Sequence, residues 1–351
     1  MAHYTTISSN LKRSLFTFSS GISTGLSRPE FKFVSQMIYG LLCSQSCHLS
    51  KIARVLNESV LLKKTIERLS RNLANFTPIG VYSRVLTAAE ESFVSATEET
   101  MKALRFLRKH FKKSNIRAFD RGFDANVFFE ELIDHKEKFV IRVNPNRIVK
   151  YKEESINILK LAERFKGKYI LRFKKKNRKQ IDCKISIVPI KLCFRPDVEL
   201  NLVICRGLGK EPMLLITNLK SDDARISVTI TKVYLLRWRI EEFHGFKKQQ
   251  FGFEDFRVRS LRAIRNLDTL LTIAIGYIGL MSERSDDRRI AMELMHISKR
   301  IYGIPKFRYY ALADGIYAVL AVGRQGISQF LLKKRRYGQL SLFSEPNFLT
   351  S

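Results

Sequence analysis

Four residues in one stretch of the chain have the types and spacing of a surface that handles phosphate. Tyr234, Arg237, Glu241 and Lys248 follow one another at intervals of three, four and seven positions. On a helix, at about 100° per residue, they share an arc of roughly 60°. One stripe then presents a phenol, a guanidinium, a carboxylate and an ammonium. A carboxylate is a hard oxygen ligand for a divalent cation, and the two cationic groups suit phosphate oxygens. A solvated helix laced by its own ion pairs would also carry such a stripe. Tyr234 and Trp238 are unusual choices for a merely solvated face. Trp238 flanks the stripe, where it could touch a ligand or be covered by the preceding strands, and Glu242 falls outside the spacing.

A helix must hold that stripe. The pattern predicts one from just after Ser221-Asp222-Asp223 to about Gln250, with Val233, Leu236, Ile240 and Phe243 as a second row that packs onto a sheet. A second acidic candidate is Asp120. The segment Asn115–Phe119 reads as a short strand, and Asp120-Arg121-Gly122-Phe123-Asp124 follows it. A helix is expected next, with Asp124 as its N-cap and Phe128, Phe129 and Leu132 on one face. Open α/β sheets place their chemistry at the carboxyl ends of strands. Asp120 is therefore a site candidate, with loop solvation or local capping as the plainer alternative.

Around these residues the texture alternates. From Pro29 to Phe76 the periodicity is helical and suits a three-helix unit. Within it, a turn at Asn57 to Ser59 separates a short helix from one bearing Lys63, Lys64, Arg68 and Arg71. That is a candidate helix-turn-helix, and equally an ordinary amphipathic pair with a basic face. A strand at Ile79–Leu86 and a helix from the capping pattern Ser95-Ala96-Thr97-Glu98 to about Lys113 come next. Strand-like runs FVIRV, YILRF, ISIVPI, LNLVIC and MLLIT occupy Phe139 to Leu219. The Lys174–Lys179 run between two of them would contact phosphate or blunt a sheet edge. Lys333-Lys334-Arg335-Arg336 is a phosphate patch or a solvated helix end.

The charge narrows the choice of partner. The 63 Lys and Arg against 33 Asp and Glu leave a formal net charge of +30, the balance of a polyanion binder. With 45% hydrophobic residues the chain is globular. The apolar run Thr269–Met281 is too short for a membrane span and suits a buried helix, and the polar N-terminus lacks a secretory core. The expected location is the cytoplasm, with no membrane partner. Five cysteines without paired metal spacing read as reduced thiols, Cys47 beside His48 lacking a second pair. No aromatic RNA-stacking motif is evident, which leaves an RNA-binding module as the weakest reading.

The residues YLLRWRIEEFHGFKK follow the pattern Tyr-x2-Arg-x3-Glu-x6-Lys, and with DRGFD the chain resembles the insertion sequence four family of bacterial DDE transposases from about Thr5 to Leu280. The resemblance implies an α/β fold: an RNase H-like core interrupted by a β-rich insertion, with an N-terminal helical DNA-binding unit and a helical C-terminal region. The corresponding segments are 1–76, 77–137, 138–220, 221–262 and 263–351. It further implies that Asp120 and Glu241 are catalytic carboxylates holding Mg²⁺ or Mn²⁺ in a two-metal site, with 120 residues between them. Tyr234, Arg237 and Lys248 would bind DNA phosphate. The implied partners are double-stranded DNA, transposon terminal repeats and, in the synaptic complex, a second copy of the chain.

One departure stands out. Residues 1–119 contain no aspartate, yet the family's first catalytic aspartate lies in the corresponding region, between the helical unit and the strand resembling Ile79–Leu86. Phe76-Thr77-Pro78 joins those two regions directly. An internal deletion is the expectation, and Glu90 and Glu91 sit in a context better suited to a helix start. The metal site is then incomplete and strand cleavage reduced or absent. The alternative is a catalytically dead derivative that still binds transposon ends and competes for them.

Overall fold

The protein is described here from a computed structural model that covers residues 2–77, 96–110, 115–174, 180–220, 224–283, 288–298, 308–322 and 326–327. The chain divides into two compact units: residues 1–90 with 243–351, and residues 91–242. The expected strand at Ile79–Leu86, Glu90, Glu91 and the run Lys333–Arg336 lie outside the described residues, as does most of the Lys174–Lys179 run.

The first unit opens with four helices, α1 (Ala2–Ile22), α2 (Arg28–Ser44), α3 (Leu49–Leu56) and α4 (Leu62–Asn75). Helix α1 was not anticipated, because its Ser- and Thr-rich sequence hides the row Ile7, Leu11 and Leu15 that is buried. Helix α2 starts where Pro29 suits a first turn, and the Ser27 amide donates to Glu30 Oε2 at 2.9 Å. Between α3 and α4 the chain turns through left-handed Asn57. Glu58 then accepts from Gln36 at 2.7 Å, Arg68 at 2.6 Å and Thr65 at 3.1 Å. Arg68 is thus spent on bracing the turn, while Lys63, Lys64 and Arg71 stay exposed.

The second unit begins with α5 (Ala96–His110) and β1 (Arg117–Phe119), then α6 (Asn126–Asp134), β2 (Phe139–Arg142), β3 (Ile148–Tyr151), β4 (Glu154–Asn157) and α7 (Ile158–Glu163). Strands β5 (Tyr169–Lys174), β6 (Gln180–Leu192), β7 (Arg195–Arg206) and β8 (Met213–Thr217) complete an eight-stranded sheet. Its order is β1-β2-β8-β7-β6-β3-β4, with β5 also on β6. The β1–β2 pair is parallel and all the others are antiparallel. The strands from Phe139 to Thr217 therefore belong to the same sheet as β1.

Side chains alternate across that sheet with period two. Phe139, Ile141, Leu202, Ile204, Leu214 and Ile216 enter one core with Leu104 of α5, Phe128, Phe129 and Leu132 of α6, and Ile158 and Leu161 of α7. Val140, Val203, Cys205 and Leu215 face the other way and meet α8 (Ala224–Leu236) through Ile230 and Tyr234. The unit is a mixed α/β sandwich with helices on both faces.

Asp124 does not cap α6. The helix starts after Ala125, because the Asp124 carboxylate is held by Arg147 Nε at 2.5 Å and by the Asn144 amide at 2.6 Å.

The boundary between units falls inside α9 (Trp238–Phe251). Its last two turns belong to the helical unit, where Phe246 and Phe251 are buried. Lys247, only 4% exposed, donates to Asp268 at 2.6 Å. Helices α10 (Leu261–Glu283), α11 (Arg288–Ile297) and α12 (Arg308–Val322) share one core with α1–α4. Helix α10 is long and apolar enough to cross a membrane by length and composition alone. Its Leu267, Leu270, Leu271, Ala274 and Ile278 are fully buried in that core, as the sequence suggested.

One ionic cluster fixes β1. Glu137, 1% exposed, pairs with Arg108 of α5 at 2.7 Å and with Arg117 of β1, and Arg108 also reaches Glu131 of α6 at 2.6 Å. Removing a buried partner strands the charges that it matched, at a cost of about 3 kcal/mol. Glu137→Ala should lower the thermal midpoint of the unit by roughly 10 °C. A calorimetric shift below about 2 °C would contradict this role.

Candidate active site

Asp120 sits at the carboxyl end of β1, where the sequence placed it. Its Oδ1 accepts from the Gly122 amide at 3.0 Å and opens a single 3-10 turn, Arg121–Phe123. That bond fixes the backbone through Oδ1 and leaves Oδ2 to the ion pair with Arg237. The carboxylate is about half exposed.

The single helix expected from just after Asp223 to about Gln250 is two helices, broken at Arg237. At the break the Arg237 amide bonds the Tyr234 carbonyl at 3.0 Å and the Ile240 amide bonds the Arg237 carbonyl at 3.1 Å, the tighter i to i+3 pattern. The packing row also differs from expectation. Leu236 and Ile240 are 60% and 53% exposed, and the residues buried from α8 are Ser227, Ile230, Thr231 and Tyr234. Small side chains let α8 approach the sheet closely: Thr231 Oγ1 lies 3.3 Å from Cys205 Sγ and donates back to the Ser227 carbonyl at 3.0 Å. An apolar row alone could not reveal this, because Ser and Thr supplied half of the buried face.

This seating puts Tyr234 under the stripe instead of on it. Tyr234 is 5% exposed, and its hydroxyl has no hydrogen-bond partner among the described residues. The Arg237 guanidinium lies 5.8 Å from the centre of that ring, in reach of a cation–π contact. From there its Nη2 donates to Glu241 Oε1 at 2.9 Å, and its Nη1 is 3.8 Å from Asp120 Oδ2. Burial opposes the Arg237 charge, but Glu241 first and then Tyr234 and Asp120 outweigh it and raise the pKa above the usual arginine value.

The structure therefore brings three of the sequence candidates together: Asp120, Arg237 and Glu241, with Tyr234 beneath. Lys248 lies in the part of α9 that belongs to the helical unit, where it pairs with Glu254 at 2.5 Å. Glu242 pairs with Arg239 at 2.8 Å and takes no part in the cluster. Trp238 is 61% exposed. The bridging of both carboxylates by one guanidinium was not readable from spacing, since Asp120 and Arg237 are far apart in sequence.

A family model for the transposase DDE domain matches residues 81–276, more than half of the 351-residue chain. The chain belongs to the transposase DDE domain family. Nuclease and transferase chemistry on DNA, generally with divalent metal ions, is the activity that this family implies. The matched region of the transposase includes Asp120, Arg237, Glu241 and Lys248. Among the described residues no three Asp, Glu, His or Cys side chains are grouped so as to hold a metal ion.

The shared guanidinium is open to measurement. Glu241 is about half exposed, so its coupling to Arg237 should be about 0.5 kcal/mol in a double-mutant cycle of Arg237→Ala and Glu241→Ala followed by thermal unfolding. Strict additivity of the two single variants would remove the pair from the account.

Proposed function

We propose that this chain is a transposase that binds the ends of an insertion sequence and carries out metal-dependent DNA strand cleavage and transfer, with its chemistry reduced by the loss of one carboxylate. The observation that carries the reading is the convergence of Asp120 and Glu241 on Arg237 at the carboxyl end of β1. The spacing Tyr-x2-Arg-x3-Glu-x6-Lys and the DRGFD segment support the finer assignment to the insertion sequence four family. A mixed sheet with a parallel pair at its edge and helices on both faces is consistent with an RNase H-like core.

Asp120 and Glu241, hard oxygen donors that are each about half exposed, are the residues that would hold a Mg²⁺ or Mn²⁺ ion. When bound, such an ion supplies charge stabilisation for the attacking or leaving oxygen of an in-line phosphoryl transfer. Arg237 lies against both carboxylates, where it would neutralise the phosphate of a strand laid along them. Tyr234 acts through Arg237, as the floor on which the guanidinium rests. Lys248, which the spacing assigns to DNA phosphate, belongs to the helical unit. In the helical unit, Lys63, Lys64 and Arg71 on the exposed face of α4 support residues 1–76 as a further DNA-binding element. Double-stranded DNA, terminal repeats and a homodimeric synaptic complex are the partners of this reading.

A second reading, a catalytically dead derivative that competes for transposon ends, is favoured by one fact. Residues 1–119 contain no aspartate, which fits an internal deletion between Phe76 and Ile79 that removed the first catalytic carboxylate.

The deciding experiment is cleavage of a labelled duplex carrying the element's own ends, in Mg²⁺ or Mn²⁺, by this chain and by Glu241→Gln. Weak cleavage that the substitution abolishes is expected. Salt-sensitive binding without any cleavage would establish the competitor instead. Neither binding nor cleavage would overturn both.

A further inference from the structure

The sheet unit has a basic surface at the opposite end of its strands from Asp120. Strands β1 and β2 run parallel with Arg117 opposite Phe139 and Phe119 opposite Ile141. Asp120 follows one end of that ladder, and Lys138 precedes the other. At about 3.3 Å per residue the two ends are roughly 13 Å apart. There a groove of about 780 Å³ is floored by Ile133, Val198 and Leu219 and rimmed by Lys136, Lys138 and Lys220.

The rim is built on fixed backbone. The Asn218 side chain donates to the Glu137 carbonyl at 2.7 Å and accepts from the Phe139 amide at 3.1 Å, tying the Lys136–Lys138 segment to the one that carries Lys220. Arg195, also on the rim, is neutralised by Asp134 at 2.6 Å and Asp197 at 3.0 Å. The three lysines are exposed and have no carboxylate within 4 Å among the described residues. Lys136 ends α6 in the left-handed region at φ 54°. Its amide bonds the Ile133 carbonyl, and the Glu137 amide bonds the Leu132 carbonyl. Glycine is the inexpensive residue at that point of such a helix end. A favourable interaction with the helix dipole would account for Lys136, but not for Lys138 and Lys220, which flank strands.

An apolar floor beneath ammonium groups that no carboxylate neutralises among the described residues matches the alternation of sugar and phosphate along a nucleic-acid strand. We infer that this groove is a second DNA-backbone subsite, taking phosphodiesters of duplex DNA on Lys136, Lys138 and Lys220, independent of the Asp120–Arg237–Glu241 cluster. The inference rests on the transposase reading for its ligand. Duplex DNA reaching the groove would come either from an element end or from any other DNA, and backbone contacts do not distinguish the two.

The test is fluorescence-anisotropy binding of the full chain to two labelled duplexes, one with the element's terminal sequence and one random, across a salt series. The variant combines Lys136→Gly, Lys138→Gln and Lys220→Gln. Lys136→Gly relieves the left-handed backbone as it removes the charge, so folding is kept, and an unchanged thermal midpoint verifies it. The slope of log affinity against log salt should fall by about 2 to 3, near 0.9 per lost phosphate contact, on both duplexes. An unchanged slope would overturn the subsite while leaving the transposase reading intact. A loss confined to the terminal duplex would overturn the backbone assignment in favour of base reading. Absence of salt-sensitive binding by the unaltered chain would overturn both the subsite and the DNA-binding reading on which it rests.

Discussion

The candidate site depends on how closely α8 lies on its sheet. Ser227 and Thr231 are small enough to let the helix backbone approach, and Ile230 and Tyr234 fill the space beside them against Val140, Val203, Cys205 and Leu215. Close packing of this kind leaves one position for the helix, because interiors have little room for adjustment. Once Tyr234 is seated, Arg237 is three residues along at the helix break, above the ring and beside the end of β1. The meeting of Asp120 and Glu241 on one cation follows from that seating more than from any attraction between surface charges, which is weak in water.

A second constraint holds the other half of the site. Asp120 can occupy its place only if the three-residue strand β1 stays paired with β2. So short a strand at a sheet edge has little ladder to stabilise it, and the buried Glu137 carboxylate supplies what the ladder lacks by joining Arg117 to Arg108. The sheet is thereby tied to α5 and α6 on one face while α8 covers the other. The same turn carries the left-handed Lys136 and the tie through Asn218, so structural bracing on one side of the backbone sets out cations on the other.

The excess of basic residues acts differently. A net charge of +30 raises the local concentration of any polyanion and speeds encounter, but it does not choose a register. On the proposed reading the choice would fall to groups whose positions are fixed by buried neighbours: Arg237 over Tyr234, and the lysines anchored around Asn218. Freely exposed lysines elsewhere add attraction without geometry.

Much of this was legible in the sequence. The α/β class, the strand ending in Asp120, the helical periodicity from Pro29 to Phe76, the turn at Asn57 and the burial of Thr269–Met281 follow from periodicity and turn chemistry, which are local properties. The types and spacing of Arg237 and Glu241 were legible for the same reason, since they are four residues apart on one helix face. What only the tertiary structure decided concerns contacts between distant residues and the choice between neighbouring helix faces. The break at Arg237, the burial of Tyr234 in place of Leu236, the capture of Asp124 by Arg147 and the bridge from Arg237 to Asp120 all arise when one element is pressed onto another. Which face of a helix is buried depends on the shape of the surface that receives it, and here that surface took Ser227, Ile230, Thr231 and Tyr234 and left Leu236 and Ile240 exposed. A one-dimensional pattern of hydrophobicity carries no record of that preference.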